Sequence, residues 1–268
     1  MKPVYALWCL FLLLASSITS SQNADLRFVA YPQSKLDKSF FRLGDNVITI
    51  STLSHQERSF ALVSLHHNET TAIEAAQEFI NEEGGVLVWL ENDEKHNIEF
   101  EFLNKEYSID PNKIFTQKGR AKNIKTGPYK NTLSVQVQHF ADYLYNIIPF
   151  DKHVVGIHNY EAGERSIKSF KKRKLARKVK SIFVNPARDV NNYFVTTDLE
   201  VFEALKQKKY NVVLQNQTIV RDDGSLGLVV TKSRRIYVDV IAEMGQTEEQ
   251  KEMIAALAEI LDPVSKSL

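Results

Sequence analysis

Cysteine is almost missing from this sequence of 268 residues, which contains only Cys9. Because there is no second cysteine, the stability of the chain cannot depend on intramolecular disulfides. Cys9 itself lies inside an apolar N-terminal run. The formal net charge is only +1, which gives no bulk electrostatic reason to expect a nucleic acid or a membrane surface as partner. Repeats and low-complexity linkers are lacking as well. The chain must therefore be stabilised by a hydrophobic core, which a chain of this length can bury.

The N-terminus is typical of a secretory signal peptide. A positive start precedes the apolar run Val4 to Ala15, and a small, polar stretch follows. The apolar run is shorter than the ~20 residues that a membrane-spanning helix needs, although an uncleaved anchor is the alternative interpretation. We therefore predict a signal peptide over residues 1–24, a single domain over residues 25–268, and a secreted or periplasmic protein without a transmembrane span in its mature form. The cleavage site stays open among three positions, after Ser17, Ser21 or Ala24.

Apolar strands alternate with amphipathic helices along the chain. Phe60 to Leu65 reads as a buried strand, Thr70 to Glu83 as a helix that ends at two glycines, and Val86 to Leu90 as the next strand. This alternation predicts an α/β fold, a three-layer sandwich with a mixed, largely parallel sheet. The further predicted strands are Ile98 to Phe102, Tyr107 to Ile109, His153 to Ile157, Asn211 to Gln215, Leu226 to Val230 and Arg235 to Ile241. The further predicted helices are Leu133 to Ile148, a helix capped by Asp198 that reaches Gln207, and Glu248 to Leu261.

Two of the buried strands are followed or ended by histidine. His66 and Glu69 stand three residues apart between the first strand and its helix, and His158 ends the later strand. Ligands of open α/β sheets gather beyond the carboxyl ends of the strands, and both residue types bind zinc. Three protein ligands leave one position open for water, which is the catalytic pattern. The alternative for His158 alone is a capping or core histidine, and His67 is expected to point away from the metal.

These motifs occur in an order that resembles the zinc carboxypeptidase and aspartoacylase superfamily. Its landmarks are matched here by His66-His67-Asn68-Glu69, Asp110-Pro111-Asn112-Lys113, Ile157-His158-Asn159 and Ala242-Glu243. The chain is also similar to an uncharacterised bacterial branch, through Asp110 to Thr116 and Asp222 to Leu226. The resemblance implies a carboxypeptidase-like fold, one Zn²⁺ per chain and hydrolysis of an amide bond. It further implies that Glu243 is the catalytic acid and base; the alternative is an exposed glutamate before the last helix.

The resemblance also assigns a substrate-binding segment. Asn112 and Lys113 correspond to the Asn-Arg pair that holds the terminal carboxylate of the substrate, but lysine lacks the planar, two-pronged donor of arginine. Arg120 or Arg165 is the candidate to supply that donor, and each is otherwise an ordinary surface charge. Asn159 is expected either to orient substrate or to cap its strand.

The expected substrate is a small peptide or an N-acyl amino acid, with fragments derived from peptidoglycan favoured by export. The basic run Lys168 to Lys180 is a candidate contact with an anionic surface such as the cell wall, and otherwise a solvated helix face or a mobile loop. No nucleic acid is expected, because the run lacks interleaved aromatic residues. The competing functional class is a non-catalytic binding protein that retains the fold.

Overall fold

A nine-stranded mixed sheet is the centre of the computed structural model, which describes residues 33–128, 130–216 and 222–262. The strand order is β1-β2-β4-β3-β7-β11-β9-β10-β8, and β5 pairs with β6 in a separate antiparallel hairpin. Three consecutive pairs at the centre, β4–β3, β3–β7 and β7–β11, are parallel. The strands are β1 (Lys35–Leu43), β2 (Asn46–His55), β3 (Phe60–Ser64), β4 (Gly85–Glu91), β5 (Ile98–Glu101), β6 (Glu106–Ile109), β7 (His153–Tyr160), β8 (Val179–Phe183), β9 (Tyr193–Thr196), β10 (Val212–Gln215) and β11 (Tyr237–Glu243).

Helices cover both faces of this sheet. The α-helices are α1 (Thr70–Glu83), α2 (Gln117–Asn123), α3 (Asn131–Ile147), α4 (Arg173–Ala176), α5 (Leu199–Gln207), α6 (Leu226–Lys232) and α7 (Thr247–Leu261). Helices α1, α5 and α7 pack with one face of the sheet in one hydrophobic cluster, and α3 and α6 pack on the other face in a second cluster. The predicted three-layer α/β sandwich with a mixed sheet is therefore confirmed.

Helix α1 positions the segment of greatest interest, and its sequence explains its placement. Its apolar side chains recur at helical spacing and are fully or almost fully buried against the sheet. The helix ends at Gly84, whose φ of 86° suits glycine and whose N–H donates to the carbonyl of Ile80. The predicted bounds of α1 agree with the observed ones. The buried apolar residues of this face are Ala72, Ala75, Ala76, Phe79 and Ile80.

One predicted strand is wrong. The run from Leu226 to Val230 is the start of helix α6, and only Leu226 and Val230 within it are buried. A short apolar run does not by itself distinguish a strand from a buried helical turn. The signal for a helix is Ser225, whose hydroxyl accepts a hydrogen bond from the N–H of Leu228 as an N-cap.

Both ends of the basic run Lys168 to Lys180 lie in regular secondary structure. Lys168 lies in a 3₁₀ helix, Ile167–Lys171, and Lys180 lies in β8, the last strand at one edge of the sheet. Charged side chains are common on edge strands, where they oppose pairing with other chains.

The predicted signal peptide lies outside the described residues. In the part of the chain that is described, no helix is both long and apolar enough to cross a membrane.

Candidate metal centre

Two neighbouring parallel strands bring the predicted ligands to one edge of the sheet. His66 follows β3, and His158 lies near the end of β7, which pairs directly with β3. A tight turn links His66 to Glu69, whose N–H donates to the carbonyl of His66 at 3.1 Å. Glu69 is also the N-cap residue of α1, and its carbonyl accepts the helical hydrogen bond from Ile73. The His-x-x-Glu spacing therefore corresponds to the short turn that connects β3 with α1.

The three side chains converge. Nδ1 of His66 lies 3.2 Å from Oε1 of Glu69, and Nδ1 of His158 lies 3.1 and 3.0 Å from the two carboxylate oxygens. One ligand atom from each residue lies within 4.8 Å of the others, and all three residues are buried. Tetrahedral zinc with bonds of about 2.0–2.1 Å needs ligand atoms about 3.3–3.4 Å apart. The donor set and its spacing therefore fit a zinc ion after small adjustments.

Each histidine is held from behind by a second carboxylate. Nε2 of His66 lies 3.0 Å from Oδ1 of Asp110, and Nε2 of His158 lies 3.2 Å from Oδ1 of Asp239. Histidines that bind metals commonly donate their other ring N–H to a carboxylate, which fixes the tautomer and the ring orientation. Both Nδ1 atoms are thereby directed to Glu69 in the same way.

A glycine on β7 makes room for this arrangement. A Cβ atom at Gly156 would overlap the Tyr237 hydroxyl and would lie 2.7 Å from Oδ1 of Asp239 and 3.2 Å from Nε2 of His158. Gly156 pairs with Asp239 across the parallel strands. The side chain of Asp239 therefore reaches His158 across a position that carries no side chain.

The pKa values of the three residues show strong mutual interaction. Burial alone would raise the pKa of Glu69, but His158 and His66 outweigh it and lower the pKa to about 2. Burial alone would lower the pKa of His158, but Glu69 and Asp239 outweigh it and raise the pKa to about 10. The pKa of His66 is raised as well, because Glu69 and Asp110 outweigh the effect of burial. Without metal, the cluster is held together by protons that a metal ion would displace.

Glu243 lies at the end of β11, beside this cluster in the sheet. Ile241 pairs with His158 and Glu243 pairs with Tyr160, so the alternation of strands places His158 and Glu243 on the same face. The half-buried Glu243 carboxylate accepts a hydrogen bond of 2.6 Å from the Asn191 amide, which holds it in place.

Arg165 and Tyr160 form a pair near the same strand end. The Arg165 guanidinium donates to the Tyr160 hydroxyl at 3.1 Å and lies 4.4 Å over its ring. Arg165 is exposed, and no carboxylate within the described ranges forms an ion pair with it. Burial, followed by the charge of Glu69, raises the pKa of Tyr160 well above its usual value, so its hydroxyl stays protonated.

The predicted substrate-binding segment packs against the second bacterial motif. We call residues 112–116 and 222–226 the paired motifs. Lys113 Nζ lies 3.3 Å from Oδ2 of Asp223, and the side-chain oxygen Oδ1 of Asn112 accepts from the N–H of Leu226 at 3.1 Å. Thr116 donates to Asp222 at 2.6 Å. The charge of Lys113 is thus balanced within the protein.

Arg120 and Asn159 have partners away from the three ligands. Arg120 is buried and donates to the carbonyl of Ile114 and to the Gln138 side chain. The side-chain oxygen Oδ1 of Asn159 accepts from the N–H of Ala72 in the first turn of α1. Asn159 thus anchors the helix that begins beside Glu69, and it lies on the opposite face of the sheet from His158.

Two residues of the site were not identified from the sequence. The His96 ring stacks on that of His66, with centroids 3.8 Å apart. His96 follows β4 as His66 follows β3, and the shared edge of parallel strands is the signal that could have revealed it. Asp239 could have been noticed as a charged residue within an apolar strand.

No family model matches this chain, and no curated protein matches it. Solved structures do match, at low sequence identity. One is thrombin activatable fibrinolysis inhibitor, with a TM-score of 0.49, 11% identity, and coverage of 86% of this chain and 70% of that one. Another is the murein-tripeptide amidase of Escherichia coli O157, with a TM-score of 0.43, 12% identity and coverage of 88% and 95%. A third is the succinylglutamate desuccinylase/aspartoacylase of Rhodobacter sphaeroides, with a TM-score of 0.44, 10% identity and coverage of 85% and 65%.

These structural neighbours include a desuccinylase/aspartoacylase and an amidase, and the similarity to this chain is one of structure alone. Each TM-score is below 0.5 and each identity is 12% or less. The activity of this chain therefore has to be inferred from its own side chains.

Proposed function

We propose that the chain is a secreted or periplasmic zinc-dependent amidohydrolase of carboxypeptidase or N-acyl amino acid deacylase type. One zinc ion per chain is held by His66, Glu69 and His158. The single observation that supports this most is that both Nδ1 atoms meet at Glu69 while both Nε2 atoms contact carboxylates. A buried Glu-His pair needs one such contact for stability, whereas two histidines fixed in the same orientation suit a metal with three protein ligands.

The proposed chemistry uses few groups. When bound, zinc would lower the pKa of its water molecule and would polarise the carbonyl of the scissile amide. The Glu243 carboxylate accepts the proton of the attacking water and delivers it to the leaving amine. Asn191 holds that carboxylate in place through the amide hydrogen bond, so its second oxygen is left for the water.

The proposed substrate carries a carboxylate, as a small peptide, an N-acyl amino acid or a peptidoglycan-derived fragment does. Arg165 is the best candidate for its binding, because its guanidinium is exposed and is oriented by Tyr160 near the end of β7. The other predicted substrate-binding residues are weaker candidates, since their polar groups have partners within the protein. These residues are Asn112, Lys113, Arg120 and Asn159. The run from Lys168 to Lys180 remains a proposed contact with an anionic cell wall.

Metal analysis of the purified protein tests the first half of this proposal. We expect about one zinc per chain, lost in His66→Ala and retained in His139→Ala, which changes an exposed histidine of α3. Elemental analysis after dialysis against trace zinc gives the ratio. A parent protein that stays free of metal under these conditions refutes the proposal.

Glu243→Gln tests the second half and separates the enzyme from a non-catalytic binding protein. We expect this variant to keep zinc but to lose amide hydrolysis about 10²- to 10⁴-fold, because general-base catalysis contributes that much. Amine release from N-acetyl amino acids and from murein tripeptide is the assay, and Glu248→Gln, at an exposed glutamate of α7, is the control. A zinc-loaded parent that binds these compounds without cleaving them supports the binding protein instead.

A further inference from the structure

His96 lies beside the candidate metal centre without belonging to the three ligands. The residue is exposed, in the connection between β4 and β5, whereas His66 beneath it is buried. The two imidazole rings are 3.8 Å apart between centroids and are inclined by 18°, which is a stacked arrangement. His96 is therefore the accessible one of the two stacked rings.

The loop that carries His96 is held by the residue next to His66. The Nδ1 atom of His67 accepts hydrogen bonds from the backbone N–H groups of Asn92, at 2.7 Å, and of Glu94, at 3.0 Å. Asp93 and Glu94 both have positive φ, 46° and 53°, a conformation that needs support from its surroundings. His67 therefore acts as a positioning residue for the loop, and the ring of His96 has a defined place.

The geometry does not suit His96 as a metal ligand. A ring nitrogen of His96 lies within 4.8 Å of ligand atoms of His66 and Asp110. However, Nε2 of His66 already contacts Asp110 at 3.0 Å. Nearly parallel stacked rings also direct their nitrogen lone pairs side by side, and not towards one point between them. The polar atoms of His96 are thus left for a different partner.

An imidazole carries at least one N–H donor in every tautomer and protonation state. In the described structure no protein acceptor for a His96 ring nitrogen is recorded. The ring of His96 lies against the ring of His66, with centroids 3.8 Å apart, so its N–H donor is next to the candidate centre. Donors aimed at a developing negative charge are among the largest single contributions to catalysis.

We propose that His96 is a further catalytic residue, which donates a hydrogen bond to the oxygen that becomes negative when the scissile carbonyl is attacked. This inference rests on the proposed function, because it needs a metal and a bound carbonyl at His66, Glu69 and His158. His96 would add to the site a hydrogen-bond donor that follows a third strand, β4.

Two substitutions separate the donor from the stacked ring. His96→Phe keeps an aromatic ring over His66 but removes the N–H, and His96→Gln removes the ring but keeps an N–H donor. The probe is acetohydroxamate, whose oxygens resemble the charged oxygen of the attacked carbonyl. Its binding is titrated by visible absorption on protein loaded with Co²⁺, so that the readout does not depend on activity.

We expect acetohydroxamate to bind about 10- to 100-fold more weakly to His96→Phe, as for the loss of a hydrogen bond to a charged group. His96→Gln should recover a large part of this loss, and both variants should bind Co²⁺ like the parent. Unchanged probe binding by His96→Phe overturns the inference, as does loss of Co²⁺ from both variants, which would make His96 a ligand. A parent that binds no metal overturns the proposed function as well, so the two failures are distinguishable.

Discussion

The metal cluster and the paired motifs use their polar groups in different ways. Around His66, Glu69 and His158, hydrogen bonds come from behind and leave the inward nitrogen atoms facing one carboxylate. In the paired motifs, Lys113 instead contacts Asp223.

The arrangement of polar groups in the cluster suits the binding of a ligand, whereas the contacts in the paired motifs hold two parts of the fold together. The cluster is buried, and without a metal its carboxylates are paired with protonated histidines, as the opposite pKa shifts of Glu69 and His158 show. The paired motifs join two distant segments through complete, internal contacts. In the motif that the resemblance assigns to substrate binding, the Lys113 ammonium therefore has a partner within the protein.

The largest expected effect is on the paired motifs. Gly224 has a φ of +82°, and a Cβ atom there would overlap the Lys113 carbonyl oxygen. We expect Gly224→Ala to lower the free energy of unfolding by about 2–5 kcal/mol, from backbone strain together with the clash. Gly163→Ala is the matched control, because Gly163 has a φ of +78° but open space around it, and should cost about 1–2 kcal/mol. Urea denaturation measures both. Equal losses would mean that the contact between the motifs contributes nothing.

The outer carboxylates of the metal cluster should have the next largest effect. Asp110→Asn and Asp239→Asn each remove the negative partner of one histidine, and we expect zinc affinity to fall about 10- to 100-fold in each. Competition with a chromophoric chelator gives the affinities. Asp223→Asn, in the paired motifs, serves as the comparison and should leave zinc affinity unchanged. A loss of the same size there would erase the distinction between the two regions.

The last expected effect is a dependence of the cluster on pH. The pKa of His158 is raised from 6.5 to about 10, so its contribution to the metal-free protein is complete below pH 6.5 and is lost as the pH rises through about 10. The pKa of Glu69 is lowered from 4.5 to about 2, so its contribution is complete above pH 4.5 and is lost as the pH falls through about 2. Metal must displace the histidine protons, and each displaced proton makes the apparent affinity rise by up to about 10-fold per pH unit.

Thermal unfolding with and without zinc checks this dependence. The rise in Tm on adding zinc should be greater at pH 8.5 than at pH 5.5, while the same comparison in His66→Ala should show no rise at either pH. A zinc effect that is larger at the lower pH would contradict the protonated state of the metal-free cluster.

The sequence predicts the frame of the site well because its signals there are local. The apolar run of β3, the helical spacing of α1 and the strand β7 each stand out within ten to fifteen residues, and they place His66, Glu69 and His158 beyond neighbouring strands. His96 and Asp239 were not predicted because their roles depend on contacts across strands. His96 is exposed in a loop of polar residues, and only the pairing of β4 with β3 brings it near His66.

Other misses have a similar cause. Leu226 to Val230 is apolar enough for a strand, and the N-cap contact of Ser225 is what favours a helix there. Strands β1, β2, β8 and β9 were not predicted. Of these, Lys35–Leu43 at the sheet edge is largely exposed and is held by pairing with its neighbour rather than by burial. Edge elements of this kind carry little of the hydrophobic pattern on which sequence interpretation depends.

Gly156 has a consequence for how this chain can vary in evolution. It supplies no ligand, no proton and no hydrogen-bonding side chain, yet the space above it is filled by Tyr237, Asp239 and His158. Even a methyl group at this position would push Asp239 away from the imidazole. Substitution at Gly156 is therefore as restricted as substitution at the candidate ligands, although glycine has no functional side chain. A homologue with a larger residue at position 156 would need a differently built centre.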